Sequence, residues 1–252
     1  MQLVLCDSYH PRETASLCKS TGFGIEVQSF IDPTHATTQP SAIGEHRALL
    51  AGIFPTSLHG AFEDLVPASK DAMIRNVARV RFDQSQRVAS ALGTQNIVLH
   101  HGYVPRRGAA DGWIARSTEF WRAFLDAHGD QPQRVHVENV RDDGPEVLRS
   151  VVETVAHPRI GLCLDVGHVH CHSPKSPPEW IRELRGLITY VHLHNNDGTA
   201  DQHRAISDGT LPMRETLDAL LEYAPRAIWA LEVTPDLAEL SIQWLQDNHY
   251  LP

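Results

Sequence analysis

The sequence predicts an α/β fold of the (β/α)8 class, a TIM barrel in one domain over 1–252, with its active site at the C-terminal ends of the strands. Three observations predict it. Eight short apolar runs alternate with helical stretches, which argues for parallel strands joined by helical crossovers. The length of 252 residues suits one barrel, since about 250 is typical. Six successive runs also carry His or a carboxylate at their ends: His59, then His100 with His101, Glu138, Asp165, His192 with His194, and Glu232. Only a closed parallel barrel brings successive strand ends to one mouth.

The expected strands are 3–7, 25–30, 56–60, 96–101, 134–139, 160–165, 188–194 and 227–233. Most are short and aliphatic or β-branched, as buried parallel strands are. The clearest helix is expected over 69–92, with Ile74, Val77, Val80, Val88 and Leu92 at helical spacing and Gly93 ending it. Further helices are expected near 113–128, 145–156, 178–186, 213–223 and 236–247. Pro67, Pro145, Pro178, Pro212 and Pro235 stand at or just before helix starts, where proline is tolerated. No linker or low-complexity tract divides the chain.

Side chains alternate along a strand, so parity sorts the inward groups. His136 goes with Glu138, Cys163 with Asp165, and Tyr190 with His192 and His194. Ile228 and Ala230 go with Glu232, and Val98 goes with His100. The alternate face of each strand is bulky and apolar and belongs under the helices. His100 is therefore the inward histidine of its pair, not His101.

The net charge of −9 argues against a surface built to hold polyanions. Cys6, Cys18, Cys163 and Cys171 show neither a CxxC pair nor a framework spacing and are expected as free thiols. No signal-peptide pattern and no span-length apolar run is present, so the expected setting is cytoplasmic, with no membrane partner.

Glu138, Asp165, His192 and Glu232 come from four consecutive strands. Two Glu, one Asp and one His suit a divalent ion of the zinc, manganese, cobalt or magnesium kind. Singly, Glu138 could be a salt-bridge partner and His192 a satisfied core histidine. Together the carboxylates would repel one another without a cation. The run Asp-Val-Gly-His places His168 one turn beyond Asp165. Asp201 and His203 lie in the loop after the His192 strand; alone they could be a self-capping turn, but beside the other groups they read as metal or substrate ligands. His170, Cys171 and His172 are assigned to a solvated loop. His10, His35, His46, His128, His157 and His249 are assigned to the surface or to helix ends.

These residues resemble the xylose-isomerase-like barrel superfamily, which holds sugar isomerases, ketose 3-epimerases and the apurinic/apyrimidinic endonuclease IV family. The resemblance rests on HGAFEDL at 59–65, LHHG at 99–102, VEN at 137–139, CLDVGH at 163–168, VHLHNNDG at 191–198, DQH at 201–203 and LEV at 231–233. Resemblance to the endonucleases implies three metals. His59, His100 and Glu138 would hold one; Glu138, Asp165, His192 and Glu232 a second; His168, Asp201 and His203 the third. Resemblance to the epimerases implies one metal on Glu138, Asp165, His192 and Glu232. The two Glu would then be the acid/base pair, and His168 would orient the substrate. Each pattern has departures. Gly144 stands where the epimerases bring another substrate-binding Glu. Gln202 stands where the endonucleases carry Arg, ISDG at 206–209 replaces their Gly-x-Gly, and Phe62 replaces a Tyr.

The function this implies is a divalent-metal-dependent sugar or sugar-phosphate isomerase or epimerase. Glu138 and Glu232 are its catalytic pair, and zinc or manganese its cofactor, one to three ions per chain. His168, His194 and Arg204 are expected to touch a small sugar-like substrate. The alternative is an endonuclease-IV-like multi-zinc phosphodiesterase acting on abasic DNA or a small phosphoester, the only setting with a nucleic-acid partner. Against it, no basic, aromatic-rich insert is found. Arg106–Arg107 is small, and Arg75, Arg79 and Arg81 read as a solvated helix face.

Overall fold

The computed structural model describes residues 2–34, 41–105 and 110–251. His35 and the pair Arg106–Arg107 lie outside them. Eight strands run β1 (Gln2–Cys6), β2 (Gly24–Val27), β3 (Thr56–His59), β4 (Asn96–His100), β5 (Arg134–Glu138), β6 (Ile160–Asp165), β7 (Ile188–Leu193) and β8 (Ile228–Leu231). All neighbours pair in parallel, and β8 closes on β1 to complete the barrel. Register aligns His100 with Glu138 and Asp165 with His192 across adjacent strands, which brings the ligand types to one level.

Nine helices are described: α1 (Pro11–Thr21), α2 (Ser41–Leu50), α3 (Ala72–Leu92), α4 (Ala110–Ala127), α5 (Glu146–Val155), α6 (Val166–His172), α7 (Pro177–Leu184), α8 (Met213–Tyr223) and α9 (Pro235–Asp247). Most of the apolar core lies between them and the outward strand faces. A second, smaller cluster fills the barrel: Val4, Cys6, Val98, Cys163, Tyr190, Ile228 and Ala230. Strand alternation requires this division, and it fixes which side chains reach the mouth above.

Three expectations are corrected. Ile74, Val77 and Val80 of α3 are 44–52% exposed. The inward face of that helix is instead Ala78, Phe82, Ser85, Gln86, Val88, Ala89 and Leu92, whose small members let the helix sit close to the barrel. Asp71 caps α3 by accepting from the Met73 N–H, and Gly93 ends it in the left-handed region at φ 76°. His170, Cys171 and His172 belong to α6, not to a loop, because the Asp165 side chain caps a helix there. His46 is buried in α2: its Nδ1–H donates to the Ala42 carbonyl, and its ring meets Phe30 edge-on.

Candidate metal centre and active site

His59, His100, Glu138, His168, Asp201, His203 and Glu232 all line one cavity of about 870 Å³ at the strand C-termini. Asp165 and His192 lie beneath them, fully buried. Glu138 is the hub. Its Oε2 lies 3.2 Å from His59 Nε2 and 3.4 Å from His100 Nε2. Its Oε1 lies 3.2 Å from His192 Nδ1, and Glu232 Oε2 lies equally close to that nitrogen. Asp201 Oδ2 joins His168 Nε2 at 3.2 Å to His203 Nε2 at 2.9 Å.

The backbone fixes most of these rings. His59 Nδ1 donates to the Gly60 carbonyl, His168 Nδ1 to the Asn139 carbonyl and His203 Nδ1 to the Glu232 carbonyl, each at 2.9 Å. A carbonyl only accepts, so Nδ1 carries the proton in each ring. When the ring is neutral, its Nε2 lone pair then faces a carboxylate oxygen. His192 meets the same conflict, because both its nitrogens lie 3.2 Å from carboxylates, Glu138 on one side and Glu26 on the other. Such facing pairs are stable only around a cation, either a proton or a metal. Glu232 Oε2 is also buried without a hydrogen-bond donor. The nitrogen and oxygen set therefore fits a divalent ion.

Electrostatics follow from this crowding. Burial lowers the His168 pKa, but Asp165, Asp201 and Glu138 outweigh it and carry it well above the ordinary range. Burial also opposes the charged form of His203, yet Asp201 and Glu232 take it to about 10. Burial raises the Glu138 carboxyl, while His192 and His100 hold it well below its usual value. His100, stacked on Phe62 with ring centres 4.5 Å apart, is pushed by burial to about 3.

The loops are held by neighbouring polar groups. Asn139 exchanges two hydrogen bonds with the Asp165 backbone, at 2.9 and 3.0 Å. Asp165 in turn caps α6 through the His168 N–H. Gly167 is needed because a Cβ there would overlap the His194 ring. Asn195 pairs with Arg204 across the loop that presents Asp201 and His203.

The residues anticipated as metal ligands come together, while two anticipated substrate contacts do not reach the cavity. His194 is fully buried, bonded through Nε2 to Asp165 and stacked on His203 at 4.1 Å. Its ligand atom groups with those of Asp201 and His203, all within 4.8 Å of one another. Arg204 turns to Asp197, 3.2 Å away. His101 points away from the mouth, accepting from Trp113 Nε1, as parity requires. Sequence reasoning missed Glu26 and Gln28 of the second strand segment. The alternation of IEVQ signals them, since Ile25 and Val27 face the helices and the two polar residues face inward.

A closed barrel of eight parallel strands with buried histidines and carboxylates gathered at its mouth defines a TIM barrel that carries a candidate metal-binding group at its strand ends. The chain belongs to the xylose isomerase-like TIM barrel family, whose pattern matches residues 16–248. Among solved structures it is similar to a D-tagatose 3-epimerase-like protein, at TM-score 0.82 and 21% identity, covering 98% of this chain and 96% of that one. It is also similar to the TTHB071 protein of Thermus thermophilus, soaked with ZnCl2, at TM-score 0.80 and 23% identity, covering 98% and 97%. A relative in Methanocaldococcus jannaschii, uncharacterized protein MJ1311, is 24% identical over 186 residues. That alignment takes in 69% of this chain and spans 63% of the relative's length.

Proposed function

We propose that the chain is a divalent-metal-dependent isomerase or epimerase acting on a sugar or related hydroxy-carbonyl compound. The observation that carries this reading is the placement of Glu138 and Glu232. They come from different sides of the barrel, line the same cavity, and converge on one His192 nitrogen at 3.2 Å each. Two carboxylates flanking one substrate position can remove a proton from carbon and return it on the other face. A divalent ion bound there, zinc or manganese, would supply Lewis acidity toward the substrate oxygens. Glu138, Asp165, His192 and Glu232 would hold it, and His168 at the cavity wall would orient the substrate. The likeness to an epimerase-like protein supports the same chemistry.

A second reading rests on a specific observation. His59 with His100, and His168 with Asp201 and His203, form further groups beside the four-residue set, as a multi-metal phosphodiesterase would need. The rim weighs against a polyanionic substrate. Among the described cavity residues Glu63 and Asp64 are acidic outside the centre, and Arg141 is the single Lys or Arg. A duplex backbone is gripped by several.

The test is solvent exchange. Metal-loaded protein is incubated in D2O with a panel of ketoses and ketose phosphates, and deuterium at the carbon beside the carbonyl is read by NMR. Uptake that Glu232→Gln lowers by about a hundredfold or more, the scale of a general acid–base contribution, is the expected result. Incision of an abasic duplex, with three zinc ions per chain and no exchange on any ketose, would replace this reading with the second.

A further inference from the structure

Among the site histidines with a second ring nitrogen hydrogen-bonded inside the protein, His59, His168 and His203 are turned by backbone carbonyls. His192 differs. Its Nε2 faces Glu26 Oε2 at 3.2 Å, while its Nδ1 faces Glu138 and Glu232. Glu26 is fully buried, and it comes from β2, a strand that contributes no ligand to the proposed metal set. Its other oxygen, Oε1, accepts from Cys6 Sγ at 3.4 Å and Gln28 Nε2 at 3.2 Å. The Gln28 amide also donates to Glu232 Oε1 at 2.7 Å. Burying a carboxylate carries a desolvation cost that its donors must offset, and an apolar residue of similar size would avoid that cost.

We infer that Glu26, with Gln28, is a positioning bracket that sets His192 and Glu232 for the metal. Glu26 takes the His192 Nε2–H, which leaves the Nδ1 lone pair toward the ion and stops the ring from turning over. Gln28 holds Glu232 by Oε1, which leaves Oε2, the buried oxygen without a donor, toward the same point. One strand thus aims the ligands contributed by the β7 and β8 ends. Partners of this kind fix the tautomer and orientation of a metal-binding histidine, and losing one weakens metal binding by about 10–100-fold. The inference rests on the reading of His192 as a metal ligand.

The test uses the full chain, stripped of metal and then titrated with zinc and with manganese against a competing chelator. In parallel, the ring-nitrogen shifts of His192 are read by NMR in the metal-free protein at a pH where the ring is neutral, assigned with His192→Gln. Glu26→Leu is expected to weaken binding roughly 100-fold and to lose the dominance of the Nε2–H form. Glu26→Gln keeps an oxygen acceptor, so it is expected to keep that tautomer and lose about tenfold in affinity. Gln28→Leu is expected to weaken binding and leave the His192 tautomer unchanged. If Glu26→Leu fails to fold, judged by its thermal melt, the Glu26→Gln and Gln28→Leu arms decide. Wild-type affinity and an unchanged tautomer in the folded Glu26 variants would overturn the inference. Failure of the wild-type chain to bind either ion would instead overturn the functional reading beneath it.

Discussion

Gly167 shows how one missing side chain shapes the centre. A Cβ there would overlap the fully buried His194 ring, whose Nε2 bonds both Asp165 oxygens. Gly167→Ala is expected to displace that ring and lower stability by about 1–3 kcal/mol, the usual range for overpacking. Asp165 would lose a donor, so metal content should fall with the melting temperature. Thermal melts with and without added zinc read both effects. A variant that melts and binds zinc like the parent would show that the His194 ring is free to shift. The sequence made Gly167 visible as part of Asp-Val-Gly-His, but not its reason, because His194 is distant in the chain. Glu26 escaped for another cause. It does not stand at the end of its apolar run, so strand ends alone do not mark it, although strand parity points it inward.

The clearest lesson about elements comes from α3. Apolar spacing at Ile74, Val77 and Val80 marked the wrong face, because the inward arc carries Ala78, Ser85 and Ala89, small residues that add little hydrophobic signal. Phe82 carries the packing there. It stacks on Trp121 of α4 at 5.7 Å with the planes 17° apart, and Trp121 is fully buried. Trp121→Ala is expected to cost about 3–5 kcal/mol by removing buried area and leaving a cavity. Val77→Gln and Val80→Gln are expected to stay within about 0.5 kcal/mol of the parent, as exposed substitutions do. Denaturant midpoints compare the three, and a loss at Val80 as large as at Trp121 would refute the assignment of faces. Strand identity was easier to read than helix facing. Most strands are compact aliphatic runs, and the polar groups near their ends settle the inward parity. Helix facing depends on which residues meet the barrel wall, which only the closed structure defines.

At the scale of the whole molecule, the centre concentrates anionic side chains inside a protein that is itself acidic, with net charge −9. Glu26, Glu138 and Asp165 are fully buried, Glu232 nearly so, and Asp201 completes the mouth. Without metal, protons on the histidines are the compensating charge. His203 is the measurable case, with its pKa raised to about 10 by Asp201 and Glu232 against the opposing effect of burial. A histidine raised on folding stabilises fully below its unfolded value of about 6.5, and that contribution is lost as pH rises toward 10. The metal-free chain should therefore lose stability between about pH 6.5 and 10. A metal ion must displace those protons, so its affinity rises over the same interval. The gap in melting temperature between metal-loaded and chelator-treated protein should consequently widen from about pH 6.5 to about pH 9. At a free metal concentration about 100 times Kd, stabilisation is about 2.7 kcal/mol, or roughly 5–10 °C for a chain of this size. Calorimetry at three pH values reads the gap, and proton release on zinc addition in two buffers of different ionisation enthalpy checks its cause. A gap that stays constant with pH would mean that the ion displaces no proton from these histidines, and would count against a metal held by His192, whose pKa is likewise carried well above the ordinary range against the opposing effect of burial.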